Sequence, residues 1–278
     1  MNHQSIGRLL VILAIVRTAI PCKAPAGETN PSLVQKLQIL VKSYPDTLSH
    51  FAGGKLFFRD GGPPIEIADG HAKSYKQMLV HADVADMLWQ IYRRGPCETN
   101  PSSDFDPGRI RSEAFLKRLY GSTRAEVTAH LTYIDWFGTR LAITSAQGVD
   151  KALVKVRDEI AKLPKSERRP ALKSAGTFYW RDIAGTHRLS VHSFGAAIDL
   201  DTTYADYWRW SYIASSKMSH PVSRIPMQIV TAFERNGFIW GGRWYHYDTM
   251  HFEYRPELLA IAKKAGASAC AAKAANAG

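Results

Sequence analysis

The sequence predicts an α+β fold. Helical and strand-like stretches mix without the regular period of a βαβ chain, there are no internal repeats, and a composition of 45% hydrophobic and 22% charged residues is that of a globular protein. At 278 residues the chain can bury a substantial core, as one large domain or as one domain with an appendage.

The elements follow in order. Leu33, Leu37, Leu40 and Val41 recur at helical spacing after Asn30-Pro31, which predicts a helix over 31–48. Short strands over 55–58 and 65–67 flank the turn Asp60-Gly61-Gly62-Pro63-Pro64. Residues 81–94 read as a helix ended by Gly95-Pro96, 101–108 as a polar loop, and 112–120 and 122–136 as helices. Beyond that point come a strand at 140–144, a helix at 148–163, and strands at 176–180 and 196–200. A helix at 226–236 has Pro in its first turn and Gly237 just past its end. Strands at 238–240 and 250–254 and a helix at 256–265 close the chain, followed by an Ala-rich tail, 266–278, expected to be loose.

A net charge of +11 favours an anionic partner: nucleic acid, a membrane surface or an acidic wall polymer. No dense Arg/Lys stripe interleaved with aromatics is present, which argues against nucleic acid. Residues 1–26 read as an export signal, with Arg8 before the apolar run Leu9 to Val16 and Ala24-Pro25-Ala26 as the cleavage site. Eight apolar residues cannot cross a bilayer core of about 30 Å, and no other stretch is long enough. An exported protein, periplasmic or secreted, is expected. After cleavage Cys97 and Cys270 remain, a pair able to bridge in an oxidising compartment, though sequence does not say whether they meet. Oligomeric state is left open.

The chemistry concentrates late in the chain. His192 and Asp199 lie in Ser190-Val191-His192-Ser193-Phe194-Gly195-Ala196-Ala197-Ile198-Asp199, and His251 follows in Asp248-Thr249-Met250-His251. Two imidazoles and one carboxylate leave a fourth zinc position open, as hydrolysis requires. Asp199 in an apolar strand is a costly buried charge unless a cation meets it. Gly195 permits a sharp turn between the ligands, and Ala196 and Ala197 a close backbone approach. Asp248 offers a carboxylate beside the metal, and Glu253 alternates to the face of His251. His3, His50, His71, His81, His130 and His220 have no such surroundings and read as ordinary core or surface residues.

Ser190-x-His192-x-x-Gly195-x-Ala197-x-Asp199, Gly237-Phe238-Ile239-Trp240-Gly241-Gly242 and Asp248-x-x-His251-Phe252, in that order, resemble the zinc D-alanyl-D-alanine carboxypeptidase and L-alanyl-D-glutamate endopeptidase family, which includes phage endolysins and vancomycin-resistance dipeptidases. The resemblance spans roughly 134–262. It implies a Hedgehog/DD-peptidase-like fold with a small central antiparallel sheet and flanking helices, and one zinc ion per chain on His192, Asp199 and His251. It further implies Asp248 as the catalytic carboxylate, the endolysin-like branch having Asp there, and an Arg that binds substrate, for which Arg181 is the candidate. Ser190, Trp240 and Trp244 are candidate substrate residues, with His187 and His246 nearby. The partner implied is a peptidoglycan peptide. On this reading 131–265 is a zinc peptidase domain, and 27–130 is a mostly helical region without a motif. Carboxypeptidase and endopeptidase both remain open, the Trp240-Gly241-Gly242 block favouring the latter. The rival readings are a non-catalytic wall-binding module and a non-haem iron enzyme; the second lacks the close His-x-Asp pairing.

Overall fold

The computed structural model describes residues 29–183, 186–215 and 223–270. The expected export signal and residues 271–278 of the expected tail lie outside them. The α+β expectation holds, with helices packed on small antiparallel sheets.

Helix α1 (Leu33–Ser43) starts in a capping box between Ser32 and Gln35 and buries Leu37 and Leu40. It ends before 48 because Tyr44 precedes Pro45, whose ring disfavours a helical conformation at the residue ahead of it. Strand β1 (Leu48–Ala52), not foreseen, turns through Gly53-Gly54, both at positive φ, into β2 (Lys55–Phe58), which pairs with β3 (Ile65–Glu66). The helix expected over 81–94 is replaced by α2 (Tyr75–His81) and α3 (Val84–Met87). Ala82 is extended, and Asp83 caps a new helix by accepting the Asp86 N–H.

Helix α4 (Glu113–Tyr120) forms where a helix was expected over 112–120, with Ser112 as its N-cap. The next helix, α5 (Arg124–Ala129), stops short of the expected 136. From Leu131 the period changes to two: Ile134 and Trp136 are buried while Tyr133 and Asp135 are exposed, giving β4 (Leu131–Trp136). Phe137-Gly138, both at positive φ, turns it back into β5 (Thr139–Thr144). Then come α6 (Val149–Ala161), α7 (Lys165–Arg168), β6 (Ser174–Gly176), β7 (Ala197–Leu200), α8 (Trp208–Ser215), α9 (Met227–Arg235), β8 (Phe238–Trp240), β9 (His251–Tyr254) and α10 (Pro256–Ala265). The strand expected over 176–180 ends at Gly176, because the groups beyond it bond to His192 instead: Thr177 O meets its ring and the Tyr179 N–H donates to its carbonyl.

The central sheet has the order β6-β7-β9-β8, all pairs antiparallel. Alternation divides its faces. Ile198, Phe252 and Trp240 turn to α9, whose Phe233 stacks on Phe252 at 3.9 Å between ring centroids. Asp199 and His251 stand opposite each other in the register, with Glu253 two residues on, and share the other face.

Residues 29–130 and 131–265 contribute to one hydrophobic core. Polar ties cross between them. Tyr44 Oη donates to Glu257 Oε2 at 2.6 Å, and Tyr92 Oη to Glu234 Oε1 at 2.7 Å, the carboxylate that also takes Arg243 Nε at 2.7 Å. The expected loose tail is fastened over its described part. Ser268 bridges to Arg94, the Ala269 N–H donates to Arg94 O, and Cys270 is disulfide-bonded to Cys97. Among the described residues no helix is long and apolar enough to cross a membrane.

Candidate active site

Three elements bring the predicted metal ligands together. Ser190 caps a 3₁₀ turn, Val191–Phe194, that carries His192. Gly195 ends it at φ +64°, and a Cβ there would lie 2.9 Å from Leu131 Cδ2 and 3.1 Å from the Thr144 backbone nitrogen. Glycine alone satisfies both the left-handed backbone and that closeness. Strand β7 then delivers Asp199, and β9 delivers His251 opposite it.

His192 Nε2 lies 3.2 Å from His251 Nδ1 and 3.2 Å from Asp199 Oδ1, and His251 Nδ1 lies 2.9 Å from the same oxygen. The outer ring atoms fix what these atoms are. His192 Nδ1 is 2.8 Å from Thr177 O, and a carbonyl only accepts, so Nδ1 carries the proton and Nε2 the lone pair. His251 Nε2 is 3.2 Å from Glu253 Oε2, and that carboxylate is fully buried. Burial would raise its pKa, but the charges of Arg111 and Arg255 and its bond to His251 hold it well below the usual carboxylate range. Glu253 is therefore an acceptor, His251 Nε2 carries its proton, and Nδ1 faces the site.

Two lone pairs and a carboxylate oxygen converging within about 3 Å demand a cation. Tetrahedral zinc with bonds of about 2.0–2.2 Å separates its ligand atoms by roughly 3.3 Å, so the donor set and spacing fit. Without a metal, a proton takes that place. Burial opposes charging His251, yet the bonds to Asp199 and Glu253 lift its pKa to about 10. Asp199 is correspondingly held far below its ordinary value by the imidazoles, against burial.

Asp248 lines the same cavity, of about 140 Å³, together with His192, Asp199 and His251. Its Oδ1 is buried without a hydrogen-bond partner. Burial first, then the charge of Asp199, raises its pKa to about 6. Gly241 makes this placement possible: a Cβ there would lie 2.4 Å from Asp248 O. At Gly242 a Cβ would strike the Trp240 ring at 2.2 Å, so both glycines of that block serve close packing.

The remaining candidates divide. Arg181 is exposed at the cavity wall, its backbone held by Ser193 Oγ and Ser190. Ser190 also lines the cavity, though its Oγ caps the His192 turn. Trp244 lines it with its ring 5.7 Å from that of His251 and Nε1 donating to Pro107 O. Trp240 must be corrected. It pairs with Phe252 on the opposite face of the sheet, donates to Thr249 O and belongs to the core, because strand alternation turns it away from His251. His187 is exposed and is not a wall of the described cavities, and His246 bonds Asp106 at 2.7 Å in an adjoining cavity. The structure adds Arg109, Arg111, Tyr207 and Arg209 to the cavity wall. Arg109 and Arg111 come from the half of the chain that carries no motif, so no local pattern announced them.

Residues 184–254 match the D-alanyl-D-alanine carboxypeptidase family model. The matched segment contains His192, Asp199, Asp248 and His251, the residues just described. At the level of that family, it supports a peptidase acting on peptidoglycan. No curated protein and no solved structure matches the chain.

Proposed function

We propose that the protein is a zinc-dependent peptidase that hydrolyses peptide bonds in peptidoglycan stem peptides. The observation that carries this reading is the triangle of His192 Nε2, His251 Nδ1 and Asp199 Oδ1, with an unpartnered buried carboxylate, Asp248, in the same cavity. His192, Asp199 and His251 would hold the metal. A zinc ion bound there supplies Lewis acidity toward water and the scissile carbonyl. Asp248 takes the proton of the attacking water and returns it to the leaving amine, a role suited to a carboxylate with a pKa near 6. Arg181 at the wall meets the negative charge that develops on the carbonyl oxygen.

An endopeptidase is favoured over a carboxypeptidase. The cavity beside the triad adjoins a second one across shared walls, which suits a peptide that continues past the scissile bond. The Cys97–Cys270 bridge supports the reading too, since it suits an oxidising compartment such as the one where peptidoglycan lies. Zinc content of the purified protein, with mass spectrometry of digested muropeptides, tests the proposal. Cleavage within the stem or cross-link is expected. Loss of a single terminal D-alanine would make it a carboxypeptidase, and no released amine with zinc in place would end the peptidase reading.

A further inference from the structure

Aromatic residues gather at helix α8 in a way that burial does not explain. Tyr207, just before the helix, lines the triad cavity, and Trp208 lines the second cavity that adjoins it. From each a further ring leads outward. Trp210 meets Tyr207 edge-on, 5.8 Å between ring centroids, and Tyr212 lies 6.4 Å from Trp208. Both outer rings stand in water: Trp210 is 47% and Tyr212 50% exposed. Arg209 already stacks over the Trp208 ring, 5.3 Å from its centroid, so the rings open to solvent are Trp210 and Tyr212. Two positions apart on a helix, they leave it on different sides. A compact ligand would meet one of them, whereas a chain laid across α8 meets both.

The start of α8 is also fixed to the segment that carries Asp248. Tyr207 pairs with Asp248 in an antiparallel bridge, the Trp208 N–H donates to Tyr247 O at 3.0 Å, and the Thr249 N–H donates to Asp206 O at 3.0 Å. A ligand on the outer rings is thereby held in register with the candidate catalytic carboxylate. Large aromatic rings kept in water beside a cavity mark a binding surface rather than a core. Their π faces carry partial negative charge, which attracts polarised C–H groups such as those on the face of a pyranose ring. Trp208 Nε1 is buried without a hydrogen-bond partner, and an indole N–H can only donate. Leu79 and Val80 line the same cavity. An acetamido group, a carbonyl with a methyl beside it, answers both the open donor and the apolar wall. The stem peptide of peptidoglycan hangs from a strand of such N-acetylated sugars.

We propose that α8 is a platform for the glycan strand of peptidoglycan, with sugar rings stacked on Trp210 and Tyr212 and one acetamido carbonyl accepting from Trp208 Nε1. The proposal rests on the peptidase reading and extends it from the stem peptide to the polymer that carries it.

Chitotetraose, an N-acetylated glycan without peptide, measures binding apart from turnover. Calorimetry on the full chain loaded with zinc should show it bound, and cellotetraose, which lacks the acetamido groups, bound at least about tenfold more weakly. Trp210→Ala should weaken chitotetraose about tenfold, and Trp210→Tyr should retain most of the affinity. In turnover, kcat/KM for a disaccharide-bearing muropeptide relative to the free stem peptide should fall in Trp210→Ala by about the same factor. A ring with only a packing role would slow both substrates alike, and an unmoved ratio would overturn the platform. So would no binding of chitotetraose, or equal binding of the two tetrasaccharides. Should Trp210→Ala not fold, Tyr212→Ala should lower the same ratio, and a ratio unmoved there would overturn it as well. Failure of the peptidase reading would look different: chitotetraose would bind while muropeptides stayed uncut.

Discussion

His251 Nε2 and Glu253 Oε2 lie 3.2 Å apart, two positions along one strand. Strand alternation puts both on the triad face, and Arg111 from outside the strand and Arg255 from its end pin the carboxylate. The carboxylate thus sets which nitrogen of His251 is free to bind a metal. Glu253→Gln can still accept from Nε2, but it removes a buried charge that Arg111 and Arg255 surround. Loss of such an outer partner typically costs about 10- to 100-fold in metal affinity. A competition titration with a chromogenic zinc chelator should find zinc affinity lowered by about that factor, with circular dichroism unchanged. Unchanged affinity would mean that His251 is oriented by packing alone.

Zinc binding should also release a proton. The folded pKa of His251, about 10, lies above its ordinary 6.5, so at pH 7–8 the metal-free protein carries a proton that zinc must displace. Apparent zinc affinity should therefore rise as pH rises toward about 10, by up to about tenfold per unit. The same shift has a stability consequence for the metal-free protein. Its contribution is fully present below pH 6.5 and is lost as pH climbs through about 10. Proton release followed with a pH indicator during zinc addition checks this directly, and no release at pH 7.5 would contradict it.

Asp248→Asn should separate binding from chemistry. The residue is not one of the three converging ligands, so zinc content should stay near one per chain while turnover falls by about 10² or more. In the unsubstituted enzyme kcat/KM should decline as pH falls, because a protonated Asp248 cannot accept the water's proton. Burial and Asp199 place that limb near pH 6, and a bound dication moves it to or below that value. The limb should vanish from the residual activity of the variant. An active Asp248→Asn enzyme with its acid limb intact would assign the base to another group.

The convergence of His192, Asp199 and His251 was legible in the sequence because of local context: an apolar strand interrupted by Asp199, and small residues around the His192 turn. The late helices and the β7, β8 and β9 strands were legible for the same reason, periodicity with clear stops. What escaped was set by distant contacts or by a switch of period. Leu131–Trp136 follows α5 so closely that its alternation is masked by the helical pattern before it. Trp240 belongs to a motif, which suggests substrate, whereas pairing with Phe252 decides which way it faces. Arg109 and Arg111 reach the cavity only through the tertiary fold, more than eighty residues before His192.

The Cys97–Cys270 bridge spans a sequence separation of 173 and ties the segment after α10 to the segment after Tyr92, whose hydroxyl bonds Glu234. Closing so long a loop removes unfolded-state entropy worth about 5 kcal/mol in the chain-entropy treatment. Neither cysteine is a wall of the cavity that holds the triad. Reduction, or Cys97→Ser with Cys270→Ser, should therefore lower the urea midpoint markedly while leaving zinc stoichiometry unchanged at 25 °C. Trp244 and Arg243 link the two effects, because Arg243 Nη1 donates to Cys97 O at 2.7 Å while Trp244 lines the triad cavity. If loosening the bridge disturbed the site through that pair, zinc affinity would fall along with stability. Parallel urea and zinc titrations on oxidised and reduced protein decide between a purely stabilising bridge and one that also holds the site.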